Sequence, residues 1–250
     1  MIISASRRTD IPAFYAPWLI NRIRAGYCTV PNPFNRQQVS RVSLKPEDVD
    51  VIVFWTRSPR PLFPYLKELD ERGYRYYFQY TLMNNPQQID PKSPPVEAAI
   101  SAFKELAQQV GPQRVIWRYD PLVFSLLTDT DFHLSQYNRI ARQLSGNTLR
   151  SVISIMDDYP KANKRLQQMS ETGAPVQHPD LHQDGWFRDC IQGLVSIAAE
   201  NGMELYSCAE ELDLARLGVR PGKCVDDEYI YQTFGVHVSA KKDPNQRKLC

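Results

Sequence analysis

No run in this sequence of 250 residues approaches the roughly 18 consecutive apolar residues that a membrane span needs, so a transmembrane helix is not expected. A charged leader followed by an apolar stretch is missing as well. The chain opens with Met1-Ile2-Ile3-Ser4-Ala5-Ser6, which reads as a strand, and a cytoplasmic location is expected. Excess charge of one sign is absent: 30 Lys and Arg against 28 Asp and Glu leave a net +2, which demands neither nucleic acid nor a membrane surface as partner. None of the eleven glycines falls in a Gly-x-Gly-x-x-Gly turn or a phosphate loop, which removes the usual dinucleotide and nucleotide signatures. The four histidines, His133, His178, His182 and His237, make no metal spacing, and no Gly-x-Ser-x-Gly elbow or Cys-His pairing supports hydrolytic nucleophile chemistry. Cysteine is scarce and odd in number, five in all, so a disulfide framework is not expected.

What is present is ordinary for a globular chain: 42% hydrophobic and 23% charged residues, over a length that suffices for one large α/β domain. Thirteen Tyr and four Trp supply core and pocket lining. Short β-branched or aromatic runs alternate with helical periods. The runs are 1–6, 51–55, 74–81, 114–119, 151–156 and 203–208, with an extra extended piece at 39–44. Their bodies lack apolar/polar alternation, as parallel strands covered on both faces do.

The intervening helices carry start and stop signals. Asp10 is an expected N-cap, with Pro12 in the first turn, Phe14, Trp18 and Ile23 on one face, and Gly26 after it. Leu62, Tyr65, Leu66 and Leu69 precede Gly73, and Val96, Ile100, Phe103, Ala107 and Val110 precede Gly111-Pro112. Leu134, Tyr137, Ala141 and Leu144 end at Gly146, a weaker helix is expected at 160–170, and Phe187, Cys190, Ile191, Leu194 and Ala198 end at Asn201-Gly202. Six βα units in unbroken rhythm predict an α/β fold with parallel strands, either an open doubly wound sheet or a barrel. The barrel is favoured, a parallel (βα)6-type or partial TIM-like one. It forms a single domain over 1–250, with 218–250 as a C-terminal extension.

In such a fold the site forms at the C-terminal strand ends. Those ends hold Arg7, Arg8 and Asp10; Thr56 and Arg57; Asn84 and Asn85; Arg118, Tyr119 and Asp120; Asp157 and Asp158; and Cys208 and Glu210. Arg118 and Asp120 lie two apart on a strand and leave the same face. The Arg7-Arg8 pair suits a carboxylate or phosphate, which points to an anionic small molecule. Asn32 and Asn35, in Pro31-Asn32-Pro33-Phe34-Asn35, form a substrate loop or a purely structural turn. The stretch 173–185 is long enough for a lid. Cys208, Cys224 and Cys250 crowd the last fifth of the chain and are candidates for a shared metal, or simply small buried hydrophobes.

Several stretches together resemble a known family: Ile3-Ser4-Ala5-Ser6-Arg7-Arg8-Thr9-Asp10-Ile11-Pro12, Asn32-Pro33-Phe34-Asn35, Val53-Phe54-Trp55-Thr56-Arg57, Trp117-Arg118-Tyr119-Asp120-Pro121, Cys208-Ala209-Glu210 and Lys242-Asp243-Pro244-Asn245-Gln246-Arg247. They resemble the bacterial family known as domain of unknown function 1848, from the first strand to the last residue. The resemblance implies a relative of the radical S-adenosylmethionine enzymes, with a 4Fe-4S iron–sulfur cluster held by a Cys-x-x-x-Cys-x-x-Cys motif behind the barrel. This chain ends at Cys250, the first cysteine of that tail, and contains no such motif, so a truncated tail is expected and the chain as given is expected to lack that chemistry. The resemblance further implies that Cys208, Cys224 and Cys250 help form an auxiliary iron–sulfur or zinc site. From position and charge, Arg7, Arg8, Arg57 and Arg118 are expected to hold anionic groups, with Asp120 and Glu210 orienting them or binding the ribose or amino group of the cofactor. The rival readings are a barrel hydrolase or lyase acting on an anionic small molecule, and a non-catalytic nucleotide- or nucleic-acid-binding protein.

Overall fold

A computed structural model describes residues 1–5, 9–32, 34–35, 37–156, 175–181, 183–208 and 212–240. All six strand-forming runs become strands: β1 (Ile2–Ala5), β4 (Val51–Thr56), β5 (Tyr76–Thr81), β6 (Val115–Leu122), β7 (Arg150–Ile155) and β8 (Glu204–Ser207). β4, β5 and β7 are buried nearly throughout, which explains their unbroken apolar runs. The fold is mixed α/β, with a six-stranded parallel sheet in the order β1-β4-β5-β6-β7-β8. That order follows the chain and shows none of the reversal that marks a doubly wound sheet.

Packing divides the described residues into two compact units, Met1–Tyr80 with Asp227–Ala240, and Thr81–Asp226. In the first, β1 pairs with β4 from Ile2↔Val51, and β4 with β5 from Ile52↔Tyr76. Phe54 and Phe78 meet at 5.0 Å between ring centroids in its core. The extended piece 39–44 does form a strand, β3 (Val39–Ser43), and its antiparallel partner is β2 (Tyr27–Pro31), which the sequence pattern had not shown. Gly26, at φ 75, ends the preceding helix and lets the chain turn straight into β2. The last helix, α7 (Asp227–Phe234), returns to this unit, where Tyr229 packs edge-on against Tyr77 at 5.0 Å.

The first expected helix is two. α1 (Ile11–Phe14) stops at Tyr15, and α2 (Ala16–Ala25) restarts with Pro17 in its first turn. The break changes the phase. Ala16, Leu19, Ile20 and Ile23 face inward, whereas Phe14 and Trp18, expected on the buried face, are 74% and 45% exposed. The second expected helix is a 3-10 turn over Arg60–Tyr65 followed by α3 (Leu66–Glu71), because Pro64 cannot donate to an α-helical ladder. Leu62, Leu66 and Leu69 are buried as expected, and Tyr65 only partly so.

In the second unit β6, β7 and β8 pair in parallel. α4 (Val96–Val110), α5 (Thr130–Leu144) and α6 (Gly185–Glu200) bury their expected faces except Val96 and Leu134, which are half-buried, and the set Phe187, Cys190, Ile191, Leu194 and Ala198 is buried whole. α5 and α6 pack closely because Gly193 offers no Cβ, which would lie 2.6 Å from the Leu134 side chain. Trp117 stacks on Tyr137 with centroids 4.6 Å apart. Beyond β8 the chain comes back as a strap. The Arg220 amide donates to the Leu205 carbonyl at 2.9 Å, and the Ser207 amide to the Arg220 carbonyl at 2.9 Å. At the strap's far end Asp226 meets Arg150 at 2.5 Å, both nearly buried, with the guanidinium 3.7 Å above the Tyr206 ring. The helix expected at 160–170 lies outside the described residues.

Candidate functional site

The alternation of a strand decides what β6 offers at its C-terminal end. Arg118 and Asp120 do leave one face together: Arg118 donates to Asp120 Oδ2 through Nε at 2.9 Å and again through Nη2. Tyr119, between them, faces the other way. It is fully buried among Trp117, His133 and Tyr137, with its hydroxyl 3.2 Å from His133 Nδ1, so its expected substrate contact is corrected to a core position. Asp120 uses its second oxygen to accept a hydrogen bond from Ser154 of β7. Sequence reasoning passed over Ser154, although a lone hydroxyl in the apolar run Val152-Ile153-Ser154-Ile155 was the available signal.

β8 delivers the next member. The Cys208 amide donates to the Ile153 carbonyl at 2.9 Å, which fixes the residue just past the strand. Its Sγ lies 3.6 Å from Cys224 Sγ, sixteen residues on, in the strap. Gly222 makes that approach feasible, since a Cβ there would stand 2.3 Å from the Ser207 carbonyl oxygen. The hydrogen bond from Cys224 is the largest cause holding the Cys208 thiol down to about 6. The Arg118 guanidinium, which also hydrogen-bonds it, adds to this, while burial and Asp120 oppose it. Burial works against the charge on Arg118, but Asp120 and Cys208 overturn that and hold its pKa above the ordinary value. Arg118 is 5% exposed and stays a cation. The four residues thus form one chain, Ser154–Asp120–Arg118–Cys208, with Cys224 closing its end.

In the first unit Asp10 is the N-cap it was expected to be, accepting from the Ala13 amide at 2.9 Å through Oδ1. Its Oδ2 accepts from the Thr56 hydroxyl at 3.0 Å and the Arg57 amide at 2.8 Å, tying the end of β4 to the start of α1. Burial raises its pKa against those three hydrogen bonds. The Asn32 and Asn35 side chains serve the β2–β3 turn: Asn32 Oδ1 accepts from the Phe34 amide at 2.9 Å, and Asn35 Oδ1 from the Gln37 amide at 3.1 Å. Of the two readings open for that loop, these contacts support the structural one. Arg7, Arg8, Asp157, Asp158, His182, Glu210 and Cys250 lie outside the described residues.

The proposed metal trio is represented by Cys208 and Cys224. Among the described residues no group of three or more His, Cys, Asp or Glu is placed to hold a metal ion. Nor is any helix among them long and apolar enough to cross a membrane.

No curated protein matches the chain. A crystallised protein of Bacteroides thetaiotaomicron VPI-5482, assigned provisionally as an alpha-L-fucosidase, superposes with a TM-score of 0.33 at 12% identity, covering 88% of this chain and 83% of that one. Similarity at that level carries neither fold nor activity across. The model of the family described as "Domain of unknown function (DUF1848)" matches residues 2–250.

Proposed function

The chain belongs to the DUF1848 family, and from that premise we propose an α/β-barrel-type enzyme that acts at its strand ends on an anionic small molecule. The sequential strand order supports the barrel, since right-handed crossovers in one direction leave all helices on one face of the sheet. The observation that carries the function is a guanidinium buried at the end of β6 and held by a carboxylate on one edge. Removing such a charge from water costs several kcal/mol, and clusters of this kind concentrate at sites of chemistry.

Each residue has a distinct task. Ser154 and Arg118 fix Asp120. Asp120 holds Arg118 at Nε and Nη2 with one oxygen, Cys208 hydrogen-bonds the guanidinium, and the anionic group of the substrate is drawn to the positive charge kept at this strand end.

The radical S-adenosylmethionine-like class is the reading that the motifs favour. Its cluster takes three thiolates. The sequence has no Cys-x-x-x-Cys-x-x-Cys, and the described residues bring two thiols together, short also of the four ligands of a structural zinc site. The two described thiols alone do not make the ligand set of such a centre.

Calorimetry with inorganic phosphate, small carboxylates and S-adenosylmethionine tests the reading. Saturable binding is expected, weakened at least tenfold in Arg118→Lys, which keeps the charge and loses the fork. No binding by any of these probes would remove the proposal. Release of 5′-deoxyadenosine on anaerobic reduction would place the protein in the radical class. Anion binding without cofactor cleavage would favour a hydrolase or lyase.

A further inference from the structure

We propose that Cys208 and Cys224 form a redox-active dithiol that exchanges with small disulfides, an activity that rests on the thiol geometry and not on the anion-binding reading. The two sulfurs are 3.6 Å apart, and a disulfide bond is about 2.05 Å long, so closure requires an approach of roughly 1.5 Å. The backbone of Cys208 is anchored to β7 through its amide, so the movement falls to side-chain rotation and to Cys224. It sits in the bend of the strap, between the Arg220 pairing with β8 and the Asp226–Arg150 clamp. Pro221 and Lys223 in that bend are exposed, and Cys224 itself is partly so. Both ends are held, so the loop delivers the thiol repeatedly to one place.

The position of Arg118 decides the order of events. Its guanidinium lies on Cys208, where it pairs the charge left when that sulfur loses its proton. Cys208 therefore attacks one sulfur of the incoming disulfide. The disulfide bond breaks, and the first thiolate leaves and takes up the proton that Cys208 gave. Cys224 then gives up its proton and attacks Cys208 in the mixed disulfide. The second thiolate departs with that proton. Cys208 and Cys224 are oxidised by two electrons to a disulfide, and the substrate disulfide is reduced to two thiols. The other two described cysteines have different surroundings: Cys190 is buried on the apolar face of α6, and Cys28 lies in the β2–β3 hairpin.

The test uses the full chain, reduced and desalted without oxygen, with oxidised glutathione as probe. Intact mass and peptide mapping after alkylation read the result. The expected product has lost two hydrogens and yields a linked Cys208–Cys224 peptide. Cys224→Ser is expected to stop with one glutathionyl group on Cys208, and Cys208→Ser to form adducts at least tenfold more slowly. Circular dichroism confirms the fold of both variants, and the wild-type arm is decisive without them. Both thiols remaining open to alkylation would overturn the proposal, as would adducts spread evenly over the cysteines. Iron or zinc found by metal analysis to protect both thiols would overturn it too, in favour of a ligand pair.

Discussion

Replacing Cys224 by alanine removes the largest single cause that holds the Cys208 thiol down to about 6, and leaves the charge and the hydrogen bond of Arg118 in place. A thiol at 6 is roughly 90% ionised at pH 7, and one at its ordinary value of 9.0 is about 1% ionised, so each unit of rise lowers the thiolate fraction by up to about tenfold. The midpoint in Cys224→Ala is expected to rise by at least one unit, because burial, the next largest cause, then opposes the anion more strongly than either single contribution of the guanidinium favours it. The assay is the pH dependence of iodoacetamide labelling, with the site of label identified by peptide mass. Cys190, pushed up to about 12 by burial, and Cys28, raised by burial, stay silent in the acidic range. The midpoint is the quantity to read, since a thiolate of higher pKa is intrinsically more nucleophilic and partly masks the loss in rate. Arg118→Met is expected to raise the midpoint as well, since it removes both the charge and the hydrogen bond that favour the thiolate. A Cys208 midpoint within about half a unit of wild type in Cys224→Ala would refute the proposed coupling of the two thiols.

Further outcomes follow from the same unit. Asp226→Ala strands the Arg150 guanidinium in a nearly buried place and is expected to cost about 3–5 kcal/mol in urea unfolding, whereas Arg150→Met with Asp226→Leu costs much less. Gly222→Ala puts a methyl group into the Ser207 carbonyl and is expected to slow capture of both thiols by a dithiol-bridging arsenical, with each thiol still open to single alkylation. His133, 0% exposed, donates from Nε2 to the Val123 carbonyl at 3.1 Å and accepts from Tyr119, so the folded state holds it neutral. Burial lowers its pKa from 6.5 to about 4. Its stabilisation is complete above pH 6.5 and is lost as pH falls towards 4, about 3 kcal/mol in all. His133→Gln is expected to flatten that part of the stability–pH curve, measured by urea titration at a series of pH values.

Much of the fold was legible because burial on both faces leaves a distinct mark. The unbroken apolar bodies of β4, β5 and β7 and the i, i+3, i+4, i+7 set on α6 each followed from where the chain must hide its side chains. Asp10 was legible as a cap, since its role is completed within three residues. The split of the first helix was harder. A helical period runs through Tyr15, and only the missing amide of Pro17 hints that α2 restarts in another phase. β2 was missed for the opposite reason: its residues are mostly exposed, so burial left no pattern to read.

The sequence alone determined that six strands alternate with helices, that Arg118 and Asp120 share a face, and that charged residues gather at strand ends, all of them matters of local period. Which groups meet across those ends was decided by the tertiary structure. Ser154 reaches Asp120 from a neighbouring strand, and Cys224 reaches Cys208 because a strap returns along β8 and a glycine lets it come close. Spacing along a chain carries no record of such contacts, because the free energy that creates them comes from strand pairing and burial between segments far apart in sequence.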